Sequence, residues 1–166
     1  WVLGKKLYYD EILSTDRSVS CASCHSPTKG FADGKRTSTG IGGKLGPINS
    51  PTVYNAAYNR FQFWDGRAAS LEDQAQGPVG NSLEMFGGKG DPWEEAIQRI
   101  RANPDYVKAF QAVFGHAPTR DAAAKAIAEA AAARVRPSAW AAIGAAAGQR
   151  AKCAIHRVMS SRRSGP

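Results

Sequence analysis

A mainly α-helical fold with long glycine-rich loops is predicted for this 166-residue chain. Three observations predict it. Apolar residues recur at helical spacing, no stretch alternates apolar and polar residues as a half-buried strand does, and no segment repeats. A chain of this length forms one domain able to bury a core around a cofactor.

Taken in order, Leu3, Leu7 and Ile12-Leu13 around Tyr8-Tyr9 predict a short amphipathic helix at the start. From Ser26 to Pro51 the composition shifts to Gly, Ser, Thr, Pro and Lys, which is loop. The run Thr39-Gly40-Ile41-Gly42-Gly43-Lys44 is not a phosphate cradle, because no Gly-Lys-Ser/Thr opens a helix there and no apolar strand precedes it. Val53 to Ala57, then Phe61, Phe63 and Trp64, supply apolar bulk of a size suited to a large flat apolar partner. Leu71 to Ala75 predicts a short helix, and Gly77 to Asp91 a second glycine-rich loop. Asp91-Pro92 then starts a helix with Trp93, Ala96, Ile97 and Ile100 on one face. Asn103-Pro104 restarts another bearing Tyr106, Val107, Phe110, Val113 and Phe114, and Ala122 to Ala133 is an Ala-rich third.

The most informative feature is Cys21-Ala22-Ser23-Cys24-His25. Two thiols at i and i+3 can add across the two vinyl groups of one haem, and the adjacent imidazole then becomes the proximal iron ligand. A bare C-x-x-C also occurs in redox-active pairs and as half of a zinc site. Zinc would need two more ligands, and the remaining Cys and His residues, Cys153, His116 and His156, all lie far downstream. His116, ahead of Ala117-Pro118, reads as a surface histidine.

The net charge of +8 suggests an anionic partner until its distribution is considered. Seven of the 22 basic residues, and no acidic one, lie from Arg134 onward, which leaves 15 basic against 14 acidic in residues 1–133. No basic cluster there is interleaved with aromatics, so nucleic-acid binding has little support. No apolar run approaches the ~20 residues of a membrane span.

Leu3-Gly4-Lys5-Lys6-Leu7-Tyr8-Tyr9-Asp10, the C-x-x-C-H segment, Gly46-Pro47-Ile48-Asn49-Ser50-Pro51-Thr52 and Gln62-Phe63-Trp64-Asp65-Gly66-Arg67-Ala68 occur in this order. Together they resemble the N-terminal haem domain of bacterial di-haem cytochrome c peroxidases and of the related methylamine-utilisation enzymes that mature a tryptophan-derived quinone. The resemblance covers about residues 1–130 and implies a cytochrome c-like domain with one covalent haem c. It also implies hydrogen peroxide as substrate, a small donor protein such as a cytochrome c or cupredoxin, and a periplasmic address. The start at Trp1, with no initiator Met or apolar leader, leads us to expect a mature or trimmed product.

Site residues carry over by position. Gln74 matches the distal Gln and Glu84 the distal Glu that assist heterolysis of the peroxide O–O bond. A carboxyl in an apolar pocket can have its pKa raised towards proton transfer, whereas the plain alternative for Glu84 is a solvated loop residue. Trp64 matches a tryptophan that relays electrons between two haems, and it could equally pack against porphyrin. Asp65 and Arg67 beside it are expected to form a structural ion pair. Asn49 matches a calcium ligand whose companions come from a second domain, which leaves calcium weakly supported here.

Three departures from the pattern stand out. Ile41 occupies a position where some of these peroxidases carry a His that caps the iron, so an open distal face is expected. A second C-x-x-C-H is absent from this sequence. After Ala133 the chain ceases to resemble the family, and residues 134–166 are expected to be an atypical basic tail, a frame-shifted or truncated remnant in which Cys153 is a stray thiol. Met85 supports an alternative: as sixth ligand opposite His25 it would raise the potential, block peroxide and make the chain a single-haem electron carrier. The peroxidase reading is preferred because Glu84 and Gln74 follow that pattern.

Overall fold

The structure is a computed structural model, and residues 1–133 are described; the basic tail with Cys153 and His156 lies outside the described residues. Six α-helices follow one another: α1 (Val2–Tyr9), α2 (Cys21–Cys24), α3 (Leu71–Gly80), α4 (Pro92–Arg101), α5 (Pro104–Phe114) and α6 (Arg120–Ala132). Among the described residues there is no strand, only isolated bridges that pin the loops at Ser26 with Ala32, Thr39 with Leu45 and Gln62 with Ala68. The mainly α expectation is met.

The scaffold is a packing of α6 on α1 and α3, with α4 and α5 closing the other side. Alanines let α6 come close: Ala123, Ala126 and Ala130 are buried in it, and a Cβ added at Gly4 of α1 would run into the Ala126 carbonyl. Sequence chemistry sets the helix ends. Asp91 and Asn103 cap the first turns of α4 and α5 with their side chains, Pro follows each at the first helical position, and Thr119 caps α6. Leu7, Leu13, Ile100, Tyr106 and Phe110 fill the main core.

Two boundaries differ from expectation. The first helix stops at Tyr9, because the Asp10 side chain accepts from the Ile12 amide and turns Glu11–Leu13 into a 3₁₀ turn. Arg99 of α4 then fastens that turn by donating to the carbonyls of Ile12 at 2.9 Å and Leu13 at 3.0 Å. Helix α3 does not end at Ala75 but runs through Gly77 and Pro78 to Gly80. Pro78 costs one backbone hydrogen bond near the helix end. Packing offsets it: the Phe63 ring lies so close to Gly77 that a Cβ there would be 2.8 Å from Cζ, and the Trp93 indole donates to the Gln76 carbonyl at 3.1 Å.

Helix α2 sits where two clusters of core residues meet. Cys21 packs on the main core and also on a smaller one built from Tyr8, Phe31, Val53, Ala56, Ala130 and Ala131. The helical scaffold thus carries the C-x-x-C-H turn, and loops 26–70 and 81–90 wrap it.

Candidate functional site

The proximal half is built on α2. Ser20 donates its amide to Ser23 Oγ at 3.0 Å, which closes the turn from the N-terminal side, and His25 ends it by donating its amide to the Cys21 carbonyl. The imidazole is fixed by the loops. His25 Nδ1 lies 3.0 Å from the Pro51 carbonyl and 3.2 Å from the Phe31 carbonyl. Carbonyls only accept, so Nδ1 carries the proton and Nε2 keeps its lone pair, the tautomer that binds a metal through Nε2. Burial holds the imidazole pKa below its usual value, with the two carbonyls and Asp33 acting against burial. The ring is therefore neutral at pH 7, as ligation requires.

Phe31 reaches its place with a φ of 56°, rare for a bulky residue and a form of strain that concentrates at functional sites. The turn Pro27–Lys29, the Ser26–Ala32 bridge and the Phe31 edge contact with Tyr54 hold it there.

Cys21 and Cys24 are free, half-buried thiols. Burial pushes Cys21 up to about 12 and Cys24 upward as well, so both are protonated at neutral pH. Neither thiol is a strong nucleophile in this setting, which fits a structural anchor better than a redox pair. No group of three or more His, Cys, Asp or Glu converges to hold a metal ion among the described residues. A protonated thiol pair on one helical turn, followed by an imidazole with Nε2 left free, fits covalent haem c.

Facing this segment is the turn after α3. The Asn81 carbonyl accepts the amides of Glu84, Met85 and Phe86, its side-chain oxygen accepts from Leu83, and its Nδ2 donates to Glu84 Oε1 at 2.6 Å. Glu84 is half-buried, and burial pushes its pKa up, with Asn81 and the Arg67 charge acting the other way. Burial is the main cause of the raised Cys21 and Cys24 pKa values, and the Glu84 charge adds to it. Ile41, 4 % exposed, donates its amide to the Glu84 carbonyl at 2.8 Å. Gly40 beside it packs so tightly that a Cβ would strike the Leu83 carbonyl and the Glu84 backbone. The structure thus joins Ile41 and Glu84 directly.

Other singled-out residues fall elsewhere. Gln74 is half-buried on α3 and makes no hydrogen bond with Glu84. Met85 is 4 % exposed in the main core, with its carbonyl accepting from Thr15 at 2.9 Å. Trp64 is 62 % exposed, and its indole donates to the Asn49 carbonyl at 3.0 Å. Asn49 is itself exposed. Asp65 and Arg67 pair at 2.8 Å on the surface, and the Arg67 guanidinium lies 3.6 Å from the Phe63 ring centroid. His116 is exposed. Sequence reasoning missed Asn81, which orients Glu84; the available signal was an Asn ending a helix three residues ahead of a carboxylate.

Known proteins share both the sequence and the fold. The family described as di-haem cytochrome c peroxidase matches residues 1–141. Cytochrome c peroxidase of Escherichia coli K12 is 47% identical over 112 residues, covering 68% of this chain and 23% of that protein. Cytochrome c551 peroxidase of Pseudomonas aeruginosa is 47% identical over 112 residues, covering 68% of this chain and 31% of that one. The methylamine utilization protein MauG of Methylorubrum extorquens is 40% identical over 113 residues, covering 68% and 31%. Among solved structures, a MauG-like protein associated with microbial copper homeostasis superposes with a TM-score of 0.71 at 30% identity, over 80% of this chain and 39% of that one. The diheme peroxidase BthA of Burkholderia thailandensis gives 0.65 at 25% identity, over 80% and 37%. The chain spans about a third or less of the curated relatives named here. On its sequence and its fold alike, the chain belongs to the di-haem cytochrome c peroxidase family.

Proposed function

We propose that residues 1–133 form a haem c domain that reduces hydrogen peroxide to water with electrons from a small redox protein. What supports the reading is the half-buried carboxyl of Glu84 with its raised pKa, held in a turn whose backbone neighbour is Ile41, which cannot ligate iron. Cys21 and Cys24 anchor the haem and His25 supplies the proximal nitrogen through Nε2. When bound, the haem supplies the iron at which peroxide coordinates and through which electrons pass.

The protein's part is proton transfer. Reduction of H₂O₂ to two waters consumes two electrons and two protons. Glu84 would take the proton from one peroxide oxygen and return it to the other, which leaves as water. Its pKa, raised by burial and moderated by Asn81, suits a group that must both accept and give. Gln74 binds the outer oxygen. Trp64, exposed and tied to Asn49, is the electron entry point, and the Asp65–Arg67 pair beside it is structural. A periplasmic address follows from the haem c reading; Asn49 is at most a single contribution to a calcium site.

The electron-carrier reading rests on Met85, buried in the core that Cys21 also touches. An absorption spectrum of the ferric protein separates the two. The peroxidase reading predicts a high-spin spectrum, cyanide binding without prior reduction, and conversion towards low spin in Ile41→His. A low-spin spectrum that disappears in Met85→Ala would make the chain an electron carrier.

A further inference from the structure

Asp33 is the buried charge for which the reading above has no use. It is 3 % exposed, Oδ1 accepts the Lys35 amide at 3.0 Å, and Oδ2 has no hydrogen-bond partner. Buried polar atoms in this state are rare and call for an explanation. Asp33 follows the strained Phe31 and the bridged Ala32, so the same loop that delivers a carbonyl to His25 Nδ1 also delivers this carboxylate. The group is ionised at neutral pH. Burial pushes its pKa up, but the Lys35 amide, the neighbouring Ser38 side chain and the Lys35 charge together bring it below the ordinary carboxylate value.

The loop sets this pair of charges beside both anchoring groups. Asp33 follows by two residues the Phe31 whose carbonyl lies 3.2 Å from His25 Nδ1, and Lys35 Nζ donates to Thr39 Oγ1 at 3.1 Å. Cys24 Sγ lies 3.9 Å from the carbonyl of the same Thr39, so the Lys35 charge sits next to the second anchor while Asp33 belongs to the loop that holds His25.

We propose that Asp33 is a positioning residue of the haem site: its fixed negative charge, opposed by Lys35, acts through His25 and Cys24 to hold the haem at a low reduction potential. The inference rests on the haem reading and on no step of peroxide chemistry. A negative charge in a low-dielectric site favours the ferric state, which carries one more positive charge than the ferrous state, and burial strengthens the effect.

Spectroelectrochemical titration of the holoprotein tests this, after intact mass has established one covalent haem. A mass without haem would end this proposal together with the haem reading, whereas a haem that titrates but ignores peroxide would end only the peroxidase reading. Asp33→Asn keeps an acceptor for the Lys35 amide and removes only the charge, so the midpoint potential should shift upward. Lys35→Gln removes the opposing cation and should shift it downward. A purely structural Asp33 predicts no shift in Asp33→Asn. An unmoved or lowered potential in that variant, or an unmoved or raised one in Lys35→Gln, would overturn the proposal. If Asp33→Asn fails to accumulate as holoprotein, the Lys35 arm decides alone.

Discussion

The two sides of the anchor helix are held in opposite ways. On the proximal side His25 has its Nδ1 between two backbone carbonyls, with a strained Phe31 spent on delivering one of them. On the distal side Glu84 has one side-chain hydrogen bond, to Asn81, and the half-buried Gln74 makes none with it. Backbone partners cannot rotate away, so the proximal nitrogen is immobilised. Glu84 keeps one oxygen without a side-chain donor, which suits a group that must exchange a proton with a transient guest. Under the proposed function the ligand side holds still and the substrate side stays adaptable.

Breaking the proximal side should give the largest effect. Cys24→Ser removes one of two thioethers, and most of the covalently bound haem should be lost, read as the fraction of protein carrying the haem mass after acid-acetone extraction. Unchanged haem content would remove the anchor role. Gly40→Ala attacks the distal side through the backbone. Its Cβ would collide with Leu83 and Glu84, so stability should fall by about 1–3 kcal/mol in urea denaturation while haem stays attached. A Gly40→Ala protein as stable as the parent would mean that this loop is not seated on the distal turn.

Asn81→Ala should give the smallest and most specific effect. The Asn81 amide favours the charged form of Glu84, so its loss raises a pKa that burial has already raised. At a given pH less Glu84 is then ionised, and the pH below which peroxide reaction slows should move upward. An acid limb that stays in place or moves downward would mean that Asn81 does not set the protonation state of Glu84.

Legibility in the sequence followed the range of the interactions involved. Helices α4 and α5 were plain because Asp91-Pro92 and Asn103-Pro104 place cap and first residue locally, and the apolar spacing does the rest. The end of α3 was not, since continuation through Gly77 and Pro78 depends on Phe63 and Trp93, which are distant in sequence. The break after Tyr9 turned on the Asp10 side chain capping Ile12, a local competition that an apolar pattern does not register. In the site, Cys21, Cys24 and His25 were readable as a contiguous motif. Glu84, Gln74 and Trp64 came only through the family resemblance, because nothing local distinguishes a buried loop Glu from a solvated one. Asp33 was invisible: its burial depends on a loop folded back by the Ser26–Ala32 bridge.

The central claim is that Glu84 moves the proton during peroxide cleavage, and stopped-flow mixing of ferric Glu84→Gln with hydrogen peroxide tests it most directly. The account predicts an intact fold, full haem content, a high-spin spectrum and nearly unchanged cyanide affinity, with reaction slowed about 10²- to 10⁴-fold. A Glu84→Gln protein that reacts with peroxide at the parent rate would contradict it and leave Glu84 an ordinary buried loop residue.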